Sequence, residues 1–291
     1  MKLKNLIFTV AVLASTSMFA QFSLSGEFRP RTEWFGHGQK ATALEGTKGY
    51  LSTSVRAALK GTYKSEGYTL FTSFQEVFKF GDRAQISPAG NGNFRVQEAW
   101  ADIKLNDALS LKFGRQPLSY DDQRILGGLG WAQQARTHDA GVFKYKKGGY
   151  NLDLGFALNT PTSAIYDQAA AFSYREMAFV RANKKYKNLN LSALILSNTY
   201  QNGSEDKSSL LTAGLHADLK LNKLTLTANA YLQEGDRLND VAVEGAYLAS
   251  LLAKYKATGK TTFKAGFETI SGKTDDSVHD CLTAIQTVLY P

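Results

Sequence analysis

Between Phe113 and Asp139 the chain gathers the side chains best equipped for ligand chemistry: Arg115, Tyr120, Asp121, Asp122, Arg124, Trp131, Gln133, Gln134 and Arg136. Amide, phenol and carboxylate groups at this density can exchange hydrogen bonds with sugar hydroxyls. The guanidiniums suit carboxylates, because a planar fork of donors matches two carboxylate oxygens at once. A connector running from Gln116 to Thr137 is a candidate to fold inward and narrow a pore, and the plainer alternative is a solvated outer loop.

Bond-making chemistry finds less support. His37, His138, His216 and His279 show no metal-ligand spacing. A lipid-hydrolysing barrel would need a serine and a histidine on neighbouring strands, with His138 or His216 as nominal base; each reads more simply as a pore or interface residue. Asp121-Asp122 lacks the patterned oxygen ligands of a calcium loop. Gly127-Gly128-Leu129-Gly130 lacks the strand-to-helix setting of a phosphate loop, and Asn202-Gly203-Ser204 reads as a turn. The expectation is no enzymatic activity, no metal and no cofactor.

The elements around this connector alternate with period two. In Phe22 to about Trp34, Phe22, Leu24, Gly26 and Phe28 share one face while Glu27, Arg29, Arg31 and Glu33 share the other, which is the signature of a strand with one apolar side. From Leu211 to Leu221 and Leu224 to Gln233 the same alternation sets Leu211, Leu215, Leu224 and Leu232 against Thr212, His216, Asn229 and Gln233. Arms of about 11 residues suit a tilted strand crossing a hydrocarbon layer. Further strands are expected near Tyr50–Tyr63, Tyr68–Phe80, Phe94–Leu105, Leu109–Arg115, His138–Lys146, Tyr150–Leu158, Arg175–Tyr186, Leu189–Tyr200, Gly245–Lys256 and Thr261–Ile270. Facing stays open for Arg175 to Tyr186, where Met177 and Phe179 share a face with Arg175 and Arg181.

The joins between these strands alternate in length. Short ones fall at Lys64–Gly67, Asn106–Ala108, Lys147–Gly149, Lys187–Asn188, Asn222–Lys223 and Ala257–Gly259. Long polar ones fall at Gly36–Lys48, Gly81–Asn93, Gln116–Thr137, Asn159–Ser173, Gln201–Lys207 and Glu234–Ala242. Sorting of loops by parity is expected of a membrane barrel whose two ends face different compartments. The reading is all-β: a transmembrane antiparallel up-and-down β-barrel with about 13 to 14 strands, incomplete as written. A soluble barrel with its apolar face inside is disfavoured by the strand number and by bulky charges on the polar faces, such as Glu98 with Lys104 and Arg56 with Lys60.

Composition agrees. Met1-Lys2-Leu3-Lys4, an apolar run from Leu6 to Ala14 and a small residue, Ala20, before Gln21 describe a signal peptide over residues 1–20. Taking Lys2 and Lys4 from the 34 basic residues leaves an excess of six over the 26 acidic ones, without the basic runs of a nucleic-acid arm. The single cysteine, Cys281, permits no internal disulfide. Seventeen Phe and 14 Tyr are suited to aromatic girdles at membrane interfaces, and five prolines leave the strand ladders largely uninterrupted. Residues 21–272 read as one barrel domain, followed by an atypical tail over 273–291. That tail alternates poorly, so the expectation is a C-terminal segment missing through truncation or a frameshift just before Cys281.

Gly114-Arg115-Gln116, Tyr120-Asp121-Asp122-Gln123-Arg124 and Trp131 through Asp139 resemble the corresponding stretch of the alginate-export family of outer-membrane barrels, and Arg29, Arg31 and Glu33 resemble its opening strand. The resemblance implies a channel with a charged lumen passing an anionic polysaccharide or other acidic solute. Expected pore-lining residues are Arg29, Arg31, Glu33, Arg56, Arg115, Tyr120, Asp121, Asp122, Arg124 and Arg136, with Lys60, Lys112, Glu27, Glu76, Glu98 and Asp102 as further lumen candidates.

The function expected from these residues is passive diffusion of a hydrophilic, saccharide-type solute across the cell outer membrane. Partners would be outer-membrane lipid, the barrel-assembly machinery and the solute or polysaccharide, with no nucleic acid. The alternatives are a non-conducting barrel with a structural or adhesion role and, further off, a lipid-hydrolysing barrel.

Overall fold

The computed structural model describes residues 22–35, 50–81, 94–159, 174–202 and 206–271. The expected signal peptide, the connectors expected at Gly36–Lys48, Gly81–Asn93 and Asn159–Ser173 in whole or nearly so, and the tail with its fourteenth strand lie outside these residues.

Thirteen strands follow one another in sequence order in one antiparallel meander. They are β1 Phe22–Phe35, β2 Tyr50–Lys64, β3 Tyr68–Lys79, β4 Arg95–Lys104, β5 Leu109–Gln116, β6 His138–Lys147, β7 Tyr150–Leu158, β8 Glu176–Lys185, β9 Leu189–Asn202, β10 Asp206–Leu221, β11 Leu224–Arg237, β12 Val241–Lys256 and β13 Thr262–Ile270. Among the described residues no pairing joins β13 to β1. The chain divides into two compact units: residues 1–102 with 128–137, and residues 103–127 with 138–291.

Turn chemistry sets the registers. Gly148 and Gly149 both take positive φ, 59° and 77°, the pair of left-handed residues that a two-residue turn needs to match the twist of its strands. They place Lys147 opposite Tyr150 and Asp139 opposite Leu158. At Asn222-Lys223 the asparagine supplies the positive φ, 52°, and Leu221 faces Leu224.

Two expected long connectors are shorter in the structure. β9 runs to Asn202 and β10 begins at Asp206, so the ladder occupies most of the polar stretch Gln201–Lys207. Likewise β11 continues past a register shift at Gln233/Gly235 to Arg237, and a single 3-10 turn, Leu238–Asp240, leads into β12. Polar side chains beyond the apolar band do not stop a ladder, because backbone pairing proceeds whatever the side chains face.

One face of each unit is apolar and open to the surroundings. Phe28 is 73% exposed in β1, and Leu154 and Phe156 in β7 and Phe263 and Phe267 in β13 are likewise exposed. A ring of this size forfeits about 1.5–3 kcal/mol when left in water rather than buried in an apolar medium. The opposite face is polar or covered. Each half of the Gln116–Thr137 connector lies on that opposite face of its own unit, called here the connector face.

Candidate functional site

In the first unit the connector face of β1–β4 presents guanidiniums to a run of backbone carbonyls. Arg29 and Arg56 oppose each other midway along β1 and β2. Arg29 donates to the carbonyls of Gly130 at 2.7 Å and Ala132 at 2.8 Å, and to the Gln133 side-chain oxygen at 2.7 and 3.1 Å. Arg56 donates to the Gly130, Ala132 and Gln133 carbonyls at 3.2–3.4 Å, Arg31 to the Trp131 carbonyl at 3.3 Å, and Arg95 and Gln75 to the Gln134 carbonyl at 2.7 and 3.0 Å. Gln133 returns a bond from its amide nitrogen to Ser54 at 2.7 Å.

Carboxylates orient these cations. Glu27 accepts from Arg56 at 2.8 Å and from Lys60 at 2.6 Å, which fixes the Arg56 fork against the strand. Glu33 pairs with Arg31 at 2.9 Å on β1 itself. Alternation along each strand puts Glu27, Arg29, Arg31 and Glu33 on one side, and register carries Arg56 and Lys60 to the same side.

In the second unit residues 117–127 settle into a covered patch on β6–β13. Leu118, Ile125 and Leu126 join Ala140, Val142, Ala157, Met177, Phe179, Leu194, Leu196, Tyr231 and Leu248 in one buried cluster. This settles the facing of β8: Met177 and Phe179 share the connector face with Arg181 because the connector brings apolar side chains to meet them. Two glycines open room for the larger rings. A Cβ on Gly155 would come within 2.0 Å of the Phe179 ring, and one on Gly214 within 2.2 Å of Tyr231.

Beside that cluster lies a buried polar network. Arg181 donates to Asp121 at 2.6 and 3.2 Å, and the Ser192 hydroxyl donates to the same carboxylate at 2.5 Å. Burial raises the Asp121 carboxyl, but hydrogen bonds from Arg181 and Ser192 outweigh it and leave the group below its ordinary value. Tyr120 sits edge-on to Phe179 with the Arg181 guanidinium 5.0 Å from its ring, and burial, with the carboxylate of Asp153, pushes its phenol well up. Asp122 accepts from Asn229 at 2.6 Å, and Asn229 in turn contacts His216 at 2.8 Å. Arg124 forms an ion pair with Glu268 of β13.

Arg29, Arg31, Glu33 and Arg56 thus fall in one cluster and Tyr120, Asp121, Asp122 and Arg124 in the other, each within its own unit. Arg136 closes a loop through its N–H to the Gly128 carbonyl at 2.7 Å. Two expectations need correction. Arg115 lies on the apolar face, paired with Asp139 at 2.7 and 2.8 Å, because Gln116 and Ala140 are held on the connector face and the pleat turns their neighbours away. The ion pair, at the connector end of β5 and β6, lets both charges sit beside exposed Phe113. Glu76 shares the apolar face with Phe74, since Gln75 reaches the connector.

Arg95, Asp153, Arg181, Ser192, His216 and Asn229 complete the clusters and were not among the expected site residues. Strand parity puts Ser192, His216 and Asn229 on the polar face, so that signal was available; what the connector would touch was not. Among the described residues no group of three or more His, Cys, Asp or Glu side chains is placed to hold a metal ion.

An antiparallel meander with a bare apolar face and a polar opposite face that carries part of the connector in each unit is the strand pattern of an outer-membrane β-barrel of porin type. The family model described as alginate export matches residues 20–284, and the chain belongs to that family. Solved structures with a similar fold include an OmpF of Salmonella typhi in complex with daunomycin, 14% identical with a TM-score of 0.56 over 87% of this chain and 79% of that one. A loop-deleted OmpT of Vibrio cholerae, an outer membrane protein, is 16% identical with a TM-score of 0.52 over 85% and 81%. In-vitro folded OmpT of the same organism, in its trimer form, is 14% identical with a TM-score of 0.54 over 85% and 77%. No curated protein sequence matches the chain.

Proposed function

We propose that the protein is an outer-membrane channel passing a hydrophilic, anionic, saccharide-type solute by passive diffusion. The Gln116–Thr137 connector would narrow the passage, and residues 1–20 would direct export and be removed before the barrel-assembly machinery inserts the chain. The observation that carries this reading is the row of Arg29, Arg31, Arg56 and Arg95 on the connector face, with Arg29 and Arg56 midway along their strands. Guanidiniums in a pore favour anions because they stay charged and match carboxylate geometry. Glu27 and Glu33 temper the field, so the preference is for anions over cations rather than exclusion of cations.

Single-channel recording of refolded full-length protein in planar bilayers tests it. Discrete current steps with a reversal potential shifted toward the anion are expected, and the shift shrinks in Arg29→Gln. Closed, correctly folded protein that carries no current would overturn the channel reading.

A non-conducting barrel with a structural or adhesion role is favoured by a different observation, the burial of Leu118, Ile125 and Leu126 on the connector face. For the lipid-hydrolysing reading, Ser192 lies opposite His216 across β9 and β10. The Ser192 hydroxyl proton is directed at Asp121 and both side chains are buried, which suits anchoring of the connector rather than attack on an ester.

A further inference from the structure

Building on the channel reading, we propose that residues 128–137 form a releasable strap over the β1–β4 arginines, displaced by the anionic solute itself while residues 117–127 stay in place. The guanidiniums of Arg29, Arg31, Arg56 and Arg95 grip the consecutive carbonyls of Gly130, Trp131, Ala132, Gln133 and Gln134. Each carbonyl is a neutral acceptor standing where a carboxylate would be a stronger one, since hydrogen bonds between two ionised partners are shorter and tighter than those to a neutral oxygen. A polyanion entering the passage therefore competes for the same donors.

Two features make the strap separable from the rest of the connector. First, neither buried apolar cluster contains a residue of 128–137, and the Trp131 ring is half exposed. Second, the strap closes on itself: Arg136 donates its N–H to the Gly128 carbonyl at 2.7 Å, and Ala132 donates to Leu129 at 3.0 Å. It can leave as a body.

Residues 117–127 are fixed by different forces. Leu118, Ile125 and Leu126 are packed away from water, and Asp121 is locked to Arg181 and Ser192. An incoming anion gains nothing from Asp121, which already repels it. Selective release of the strap follows from this contrast between guanidinium-to-carbonyl bonds and buried packing.

Limited trypsin cleavage of the refolded full-length protein, mapped by mass spectrometry, tests the strap without recording any current. With trigalacturonate present, cleavage after Arg136 is expected to accelerate about tenfold, the change given by the loss of roughly one charge-assisted hydrogen bond's worth of stabilisation. Maltotriose should leave the rate unchanged, and cleavage after Arg124 should stay slow throughout. No acceleration with trigalacturonate, or equal acceleration at Arg124, would overturn the proposal. Because cleavage does not depend on conduction, absence of current would sink the channel reading and leave this result standing or falling separately.

Discussion

Asp121 and Arg181 lie 60 positions apart in the chain and meet through two contacts, 2.6 and 3.2 Å, with side chains only 5% and 10% exposed. An ion pair this far from water is held only while both partners remain, because either charge alone would be buried without compensation. Arg181→Met should therefore loosen residues 117–127 by about 3–5 kcal/mol, and Arg181→Met with Asp121→Leu should recover much of that. Hydrogen exchange of the amides of residues 118–126 measures the effect. Equal protection in the wild type and Arg181→Met would show that the pair does not anchor the connector.

Acid should release the same segment. The Asp121 carboxyl lies below its ordinary value of 3.8, with burial opposed and outweighed by Arg181 and Ser192. A depressed folded value means that the stabilisation is fully present above the unfolded value and is lost as pH falls through the folded one. Protection of the connector should hold from neutral pH down to about 4 and then decline. In Asp121→Asn the baseline protection should be lower and that acid step absent, which the same exchange experiment run as a pH series would read.

Phe179 lies over Gly155, its partner across β7 and β8. Gly155→Val should force the ring aside, costing about 1–3 kcal/mol from overpacking, and should also unseat Tyr120, which packs edge-on against that ring. Urea unfolding in lipid vesicles supplies the number. Gly214→Val, beneath Tyr231, should behave alike, and a neutral effect at both positions would contradict the packing described.

The apolar face can be tested by charge. Phe28→Arg, near the middle of β1 with its ring 73% exposed, should cost about 2–4 kcal/mol in a bilayer, as charge on the lipid face of a barrel does. Lys60→Arg on the connector face should be nearly neutral. Folding free energies in thin-bilayer vesicles would distinguish the two, and equal costs would contradict the assignment of the two faces.

Much of this fold is written into period-two alternation. Phe22, Leu24 and Phe28 against Arg29 and Arg31, and Leu211 and Leu215 against Thr212 and His216, mark strand and face because side chains alternate strictly about a pleated backbone. All thirteen expected strands are present, and the departures fall at strand ends, where the polar residues Gln201 and Lys207 belong to β9 and β10 rather than to a loop.

The candidate site was legible in part. Residue types marked the connector between Gln116 and Thr137, but its partners come from distant strands, 107 positions away for Asp122 with Asn229. Local pattern carries no information about such contacts. Arg115 shows the opposite failure: its chemistry suited a ligand site, while one position of pleat, set by Gln116, turned it to the other face. In β8 the apolar Met177 and Phe179 beside Arg181 made facing ambiguous, and the answer lay in Leu118, Ile125 and Leu126 of a segment not adjacent in sequence.

The most direct test of the central claim, a channel narrowed by its own connector, is the single-channel conductance of the full-length protein beside a variant in which residues 118–136 are replaced by a short glycine-serine turn. The account predicts discrete steps for the full-length protein and larger steps with weaker anion preference for the variant. Equal conductance in the two, or no current from either when folded, would contradict it.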